Sequence, residues 1–540
     1  MKKSIYYNGT IITVNDDNPT VEALLVEDGK ISKVGSKEEI LALKDQDTRL
    51  VDLQGKTMLP GLIDPHGHIV AIAQTLMIIN LSEANSKEEF MQMLKKAVAE
   101  NPPKEGEWII GFGYDNTRFN DGEHPTKFDL DTVSTDTPIY ISHASGHIAV
   151  TNSKALEKFG YVGENYEVPE GGVVRTLEGS KEPNGVLEEN ACLAPEKKKL
   201  IPAPSVETLM NAIKKAQEIY AAYGITTAQD ASVDEGMNQL LQGASQAGAL
   251  IMDIVGFAVQ HTTMKLLKNE GTPAREYHNH YKLLGGKTWL DGSPQGKTAW
   301  LTKPYYEVPE GQPADYKGYG TQEDEGVTEY FKTLVENNIQ VNVHCNGDAA
   351  ADQFIRCYRK ALELTGNKTD LRPVMVHAQT VREDQLDEMK ELGIIPTFFL
   401  DHIWYWGDYH YESVFGPERA NRLSPAGSAL KRGMNFTLHQ DPPVKMPNQL
   451  LAIHNAVNRE TQSGRVLGKD QRISVMDAIK AVTINGAYQY FEENTKGSLE
   501  EGKVADFVIL DKNPLQVEKS ELKNIKVLET IKEDNTIFKA

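Results

Sequence analysis

The stretch Leu59-Pro60-Gly61-Leu62-Ile63-Asp64-Pro65-His66-Gly67-His68 decides how the chain is read. Its apolar half suits a buried parallel strand marked by a Pro-Gly. Its polar half carries two histidines two positions apart. In extended backbone, residues i and i+2 point to the same side, so both imidazoles can reach one metal ion. A His-x-His is common in proteins that bind no metal. Its place directly after an apolar strand is what gives it weight.

Outward from this stretch, short apolar strands alternate with helical stretches, the signal for parallel βα units. Eight candidate strands fall at 59–64, 225–230, 254–259, 287–291, 340–344, 374–377, 395–400 and 435–441. Helical periodicity at 327–337, 349–364, 382–392 and 475–490 fills gaps between them. The pattern predicts an α/β fold whose main body is a (β/α)8 TIM barrel. The gap between the first two strands is too long for a structureless loop. It contains the apolar runs Trp108-Ile109-Ile110-Gly111-Phe112-Gly113 and Pro138-Ile139-Tyr140-Ile141-Ser142, so an inserted α/β subdomain at 85–215 covering the active site is expected. The Gly- and Pro-containing stretch 292–325 reads as a lid or wall over the barrel mouth.

Both ends of the chain read as β hairpins. Asn8-Gly9 is a turn signal between 5–7 and 10–14, and Glu27-Asp28-Gly29-Lys30 separates 23–26 from 31–34. Near the other end, 504–510, 527–531 and 536–538 are strand-like, the last two around Asp534-Asn535. A small β-sandwich domain built from 1–58 and 497–540 is expected. The barrel then takes 59–84 and 216–496.

The C-terminal ends of barrel strands are where active sites form. The fourth strand is read as beginning with Lys287, the fifth ends at His344, the sixth at His377, and the eighth in His439-Gln440-Asp441. Burying a lone charge or imidazole costs several kcal/mol, so several such endings together indicate a site. With 14 histidines in 540 residues, chance would rarely put three on strand ends in this order.

Composition narrows the rest. The chain has 57 Lys+Arg against 77 Asp+Glu, a net charge of -20, which repels phosphate backbones and argues against nucleic acid as a partner. Three cysteines, Cys192, Cys345 and Cys357, are too few for a disulfide framework or a thiolate zinc cluster, and suit a reducing compartment. The run 69–81 contains Gln74, Thr75 and Asn80 and is shorter than the roughly 20 residues of a membrane span. The N-terminal residues lack an apolar signal core. A cytoplasmic protein without membrane attachment is expected. Phosphate-binding motifs fail: Gly286-Lys287-Thr288 has Tyr281 where a P-loop needs glycine, and Gly111-Phe112-Gly113 lacks the third glycine of a dinucleotide fingerprint.

Taken together, these motifs resemble the amidohydrolase superfamily, and within it amidohydrolase family 3, which includes N-substituted formamide deformylases. The resemblance covers nearly the whole chain. It runs from Pro60-Gly61-Leu62-Ile63-Asp64 and His66-x-His68 through Lys287 with Asp291-Gly292-Ser293, and His344 with Gly347-Asp348. It continues with His377-Ala378-Gln379, Asp441 before Pro442-Pro443-Val444, and the closing Gly497-Ser498-Leu499-Glu500-Glu501-Gly502-Lys503-Val504-Ala505-Asp506-Phe507. It implies that His66 and His68 bind the more buried metal with Asp441, and that His344 and His377 bind a second. It also implies that Lys287 is carboxylated by CO₂ and bridges two ions. The alternative for Lys287 is an ordinary strand lysine paired with Asp291, which would leave a mononuclear site.

The activity implied is metal-dependent hydrolysis of a C–N bond in a non-peptide amide, such as an N-acyl or N-formyl amine. The cofactor would be one or two divalent ions, Zn²⁺ foremost, and Asp441 the general acid/base. Deaminase or cyclic-amide hydrolase activity at a mononuclear site is the alternative within enzymes. A catalytically silent scaffold is the alternative from another class.

Many family members have Gly-Ser before the eighth-strand aspartate, whereas here the residues are His439-Gln440. His439 is therefore a candidate for orienting Asp441 or contacting a small-molecule substrate. His143 and His147 in the insertion, Gln295 and Lys297 in the wall, and Trp404 in the run His402-Ile403-Trp404-Tyr405-Trp406 are further substrate candidates. The alternative use of the histidines and the aromatic run is packing of the insertion or a homodimer contact.

Overall fold

The computed structural model describes residues 2–540 apart from 146–147, 164, 170–171, 198–199, 202–203, 270–274 and 310. Its centre is a sheet of eight strands paired in chain order. They are β1 (Leu62–Ile63), β2 (Ile225–Val233), β3 (Asp253–Val259), β4 (Tyr281–Trp289), β5 (Gln340–Cys345), β6 (Val374–His377), β7 (Ile395–Phe398) and β8 (Thr437–Leu438). Every neighbouring pair is parallel. All-parallel strands are covered on both faces and so read as near-continuous apolar runs; β6 and β7 are buried throughout. The sheet curls. Just past β1 and β8, the backbone N–H of His68 donates to the carbonyl of Pro442 at 2.9 Å, bringing its first and last strands together at one end.

Helices between strands bury one stripe each, as amphipathic helices do. Asp324–Glu336 buries Val327, Tyr330, Phe331, Leu334 and Val335. Asp348–Thr365 buries Phe354, Tyr358 and Ala361, and the Phe331 and Phe354 rings meet at 5.3 Å. The expected helix at 475–490 is two, Val475–Ala481 and Ile484–Gln489. The fourth strand starts at Tyr281, six positions before the sequence reading placed it. Lys287 is therefore near the end of β4, level with Asn342, with Trp289 beside His344. Among the described residues of 292–323 there is no helix or strand, and the segment packs on a helical stretch near residue 414: Tyr306 N–H donates to Val414 O and Glu307 N–H to Ser413 O, both at 2.9 Å.

Strands from both ends of the chain share a second sheet. Lys3–Ile12, Thr20–Glu27, Lys30–Gly35, Arg49–Asp52 and Thr57–Pro60 are joined by Phe507–Leu510, Val527–Lys532 and Asn535–Lys539. Asn8-Gly9 does not turn a hairpin. One continuous strand runs through it with an irregularity between Tyr7 and Ile11. A Cβ on Gly9 would lie 2.4 Å from Lys56 O, so glycine serves close approach there. Asp28-Gly29 does make the expected tight turn, both at positive φ. Asp534, fully enclosed, accepts hydrogen bonds from Ser4 Oγ (2.8 Å), Tyr6 OH (2.6 Å) and the Arg49 guanidinium (2.6 Å).

By contact the chain divides into two units, Met1–Val70 with Ala216–Ala540, and Ala71–Lys215. The second has its own six-stranded sheet, in the order Gly172–Thr176, Pro183–Glu189, Ile148–Thr151, Ile139–His143, Ile109–Tyr114, Ile79–Asn80. Phe90 and Leu94 of the helix Lys87–Glu100 pack in a core with Tyr114, Phe119 and Ile141. No helix among the described residues is long and apolar enough to cross a membrane.

At the N-terminal end of the curled sheet lies a buried ion network. The Asp253 carboxylate, at the start of β3, meets Lys496, Lys532 (2.8 Å) and His280 Nδ1 (2.7 Å). Lys532 also reaches Asp506 (2.9 Å), and Glu492 pairs with Lys496 (3.2 Å) and with Lys282 of β4 (2.6 Å). Burial alone would raise the Asp253 pKa, but Lys496 and Lys532 hold it well below the usual carboxylate range. Removing one partner of a buried pair strands the other. Asp253→Asn should therefore cost about 3–5 kcal/mol at pH 7, read from urea-unfolding midpoints. Because the folded pKa is depressed, the aspartate's contribution is complete above its unfolded pKa of about 3.9 and is lost as pH falls below it. The gap between variant and wild type should accordingly narrow in acid.

Candidate functional site

His66 and His68 follow β1 directly, with Gly67 between them. A Cβ on Gly67 would sit 2.3 Å from Asp64 Oδ2, so the turn that presents both rings needs a glycine. The Gln229 amide donates to Pro65 O (2.8 Å) and Tyr490 OH (2.9 Å), which fixes its oxygen as the atom 2.9 Å from His66 Nδ1. Nδ1 thus carries the hydrogen, and Nε2 is left with its lone pair. That Nε2 lies 3.5 Å from Asp441 Oδ1, and His68 Nε2 lies 3.2 Å from the same oxygen. Asp441 Oδ1 is nonetheless enclosed without an aligned hydrogen bond. Three donor atoms that face one another without hydrogen-bonding geometry suit a shared cation. Asp441 sits at φ +55 and His377 at φ +71, left-handed conformations uncommon for residues with side chains and typical of tightly determined sites.

On the other side of Asp441, His344 Nε2 donates to Gly292 O at 3.0 Å, so its Nδ1 presents a lone pair. That atom lies 3.1 Å from His377 Nε2. His377 Nδ1 meets His439 Nε2 at 3.1 Å, and His439 Nδ1 meets Thr397 Oγ1 at 3.1 Å. Burial lowers the pKa of all three rings, to about 4 for His344, well below normal for His377 and to about 3 for His439. With neutral rings, the chain must run from the Thr397 hydroxyl through His439 and His377 to His344 and Gly292 O, each ring donating from Nε2. His66, His377 and Asp441 each offer one ligand atom within 4.8 Å of the others. Burial would raise the Asp441 pKa, but the adjacent His68 imidazole, whose own pKa is raised, holds it well below the carboxylate range.

Lys287 is 1% exposed, and among the described residues no carboxylate comes within ion-pair distance. Its Nζ lies 5.5 Å from the Trp289 ring centroid. Burial pushes its pKa down to about 8. The alternative pairing with Asp291 is not what the structure holds. The Asp291 carboxylate instead accepts the backbone N–H groups of Asn346 (3.0 Å), Gly347 (2.7 Å) and Trp300 (3.0 Å), and burial pushes its pKa up to about 7.

The substrate candidates have different surroundings. His439 is fully buried behind His377 with both ring nitrogens engaged, which leaves none for a substrate. Its ring meets His377, at 3.1 Å. Trp404 lies on the helix Asp401–Tyr409 against His454 (6.2 Å) and under Lys523 Nζ (4.3 Å). His402 and Trp406 of the same run stand together, rings 5.6 Å apart, with His402 6.1 Å from His377. Lys297 Nζ is occupied by Glu307 O and Ser413 Oγ. Gln295 is half-buried, and its carbonyl oxygen accepts from Tyr409 OH at 3.5 Å. In the other unit, His143 Nδ1 bonds Ser145 Oγ at 2.9 Å and Nε2 lies 3.6 Å from Asp115. His147 lies outside the described residues. Sequence reasoning missed Gln229, which lies in the middle of the apolar second strand.

The model of the amidohydrolase family matches residues 49–538. Over 522 residues the chain is 30% identical to Protein LONG AFTER FAR-RED 3 of Arabidopsis thaliana, covering 94% of this chain and 86% of that protein. It is 26% identical over 559 residues to N-substituted formamide deformylase of Arthrobacter pascens, covering 98% and 97%. Among solved structures, an uncharacterized metal-dependent hydrolase from Pyrococcus horikoshii OT3 superposes with a TM-score of 0.76 at 27% identity, covering 96% of this chain and 99% of that one.

Gly67→Ala should destabilise the fold by about 1–3 kcal/mol, the usual cost of overpacking, because the new methyl must displace the buried Asp64 carboxylate. A thermal-unfolding midpoint equal to that of the wild type would show that the turn has slack.

Proposed function

The chain belongs to the amidohydrolase family, and from that premise we propose that it hydrolyses a C–N bond of a non-peptide amide, an N-formyl or N-acyl amine, with a divalent metal. The observation that carries this reading is the enclosed Asp441 Oδ1, flanked by His66 Nε2 and His68 Nε2 without an aligned hydrogen bond. The donor set, imidazole nitrogens and carboxylate oxygen, is what Zn²⁺ takes. In this reading His66, His68 and Asp441 hold one ion, and His344 Nδ1 and His377 Nε2 a second. Lys287 would contribute as a carbamate, its neutral amine adding to CO₂ with loss of a proton, which would turn a cation into an anionic oxygen donor. The lowered pKa of about 8 supports a ready supply of that neutral amine. The curled sheet is then a closed (β/α)8 barrel, with the sheet of 1–58 and 497–540 as a separate domain and 85–215 as an insertion.

When bound, the metal supplies a Lewis acid that lowers the pKa of water to about 7 and draws electron density from a carbonyl oxygen. The residues do the rest. Asp441 holds the proton released by the attacking water and passes it to the leaving nitrogen, which must be protonated because an amide anion leaves poorly. Gln229 keeps the hydrogen of His66 on Nδ1. His439 supports His377, and because Thr397 ends the relay with a hydroxyl, a group that both donates and accepts, the relay can reverse and free His377 Nε2 for an ion.

The reading is tested by metal analysis of the purified protein with a hydrolysis screen over N-formyl, N-acetyl and ester compounds. Activity should vanish on chelation and return with added metal. A fully metallated protein inert towards all of them would favour the silent-scaffold alternative. Two bound ions and a carboxylated Lys287 would separate the amidase from a mononuclear deaminase. Asp441→Asn should lower kcat by about 10²–10⁴ while retaining part of the metal. His439→Phe should weaken metal binding by about 10–100-fold, measured by competition with a chelator.

A further inference from the structure

The helix Asp401–Tyr409 begins just after β7, so its first turn lies at the same end of the curled sheet as the histidine cluster. Residues four apart on a helix share a face, which places His402 beside Trp406. The His402 ring rests on Phe399, centroids 4.3 Å apart, with Trp406 at 5.6 Å, His410 at 5.9 Å and His377 at 6.1 Å. The residue is 4% exposed. Its Nδ1 is enclosed without a partner, and among the described residues nothing hydrogen-bonds Nε2 either.

Buried polar groups in native proteins are overwhelmingly hydrogen-bonded, and an exception calls for an explanation such as a catalytic role. The neighbouring imidazoles show the contrast: His66, His344, His377 and His439 each have a ring nitrogen engaged by a protein group. His402 alone in this group is held only by apolar and ring contacts, which fix its plane and leave its hydrogen-bonding capacity unused. A histidine carries at least one N–H in either protonation state. In an amide, the oxygen is the acceptor, since the nitrogen lone pair is delocalised into the carbonyl. The oxygen gains negative charge as a nucleophile adds.

We propose that His402 is a further catalytic residue of this site, donating a ring N–H to the acyl oxygen of the amide substrate. The proposal rests on the hydrolase reading above. His402 strengthens its hydrogen bond as charge develops on the oxygen, while Phe399 and Trp406 keep the ring from turning away.

The test uses the metal-loaded full chain, N-benzylformamide as substrate and benzylphosphonate as a tetrahedral oxyanion probe for calorimetry. His402→Phe should lower kcat by about 10²–10³, the usual effect of deleting one oxyanion donor, with KM little changed and metal content equal to that of the wild type. Benzylphosphonate should bind at least tenfold more weakly, and His402→Gln, which restores a donor, should recover part of both losses. Wild-type probe affinity in His402→Phe would overturn the proposal. So would metal loss in proportion to the lost activity, because His402 would then be structural. If the wild type hydrolyses no amide, the hydrolase reading fails, while the probe-binding comparison still decides whether His402 contacts an oxyanion.

Discussion

An imidazole has two nitrogens, and what one of them bonds decides where the other's lone pair points. The site is built on that constraint. Gln229 holds the hydrogen of His66 on Nδ1, and Gly292 O holds that of His344 on Nε2. His377 and His439 pass the constraint along to Thr397. Each anchor sits on a different strand or on the segment after one, so the directions of the lone pairs depend on the register of the whole curled sheet. A one-residue slip would turn every one of these side chains to the opposite face.

The two ends of the curled sheet treat buried charge in opposite ways. At the N-terminal end, Asp253, Glu492 and Asp506 are matched against Lys282, Lys496 and Lys532, and every charge has a close partner. At the C-terminal end, Lys287 has no carboxylate within pairing distance among the described residues, and Asp441 Oδ1 and His402 Nδ1 are enclosed without partners. The first arrangement holds strands and terminal sheet together. The second leaves polar groups aimed at one another instead of paired, the arrangement of a site built to receive a ligand.

Much of this was legible in the sequence, and the gaps have physical causes. Apolar runs of four to six residues marked most strands within a few positions, and the histidines and aspartate that close β5, β6 and β8 stood out because polar groups are rare there. The sequence reading starts the fourth strand at Lys287, whereas the strand Tyr281–Trp289 carries Gly285 and Gly286 within it. The sequence singles out Trp404 of the aromatic run, but composition does not reveal helical phase; the helix beginning at Asp401 puts residues 402 and 406 on one face. Asn8-Gly9 has the chemistry of a hairpin turn, but the packing of Leu53 and Lys56 against Gly9 was a tertiary fact. Gln229 was missed because glutamine carries no metal-binding signal of its own; its role is read only from the ring it faces.

The contact between Ser4 and Asp534 spans 530 positions. At ribosomal rates of about 5–20 residues per second, that separation is roughly half a minute to two minutes of synthesis. For most of that interval the strand Lys3–Ile12 and the Arg49 guanidinium exist without the carboxylate that later joins them, and the strand Thr57–Pro60 shows a bare edge where Phe507–Leu510 will pair. The nascent chain therefore passes through a long period with an open sheet edge, a template for unwanted strand addition, and its yield in a cell should depend on how well chaperones shield that edge until the closing strands emerge.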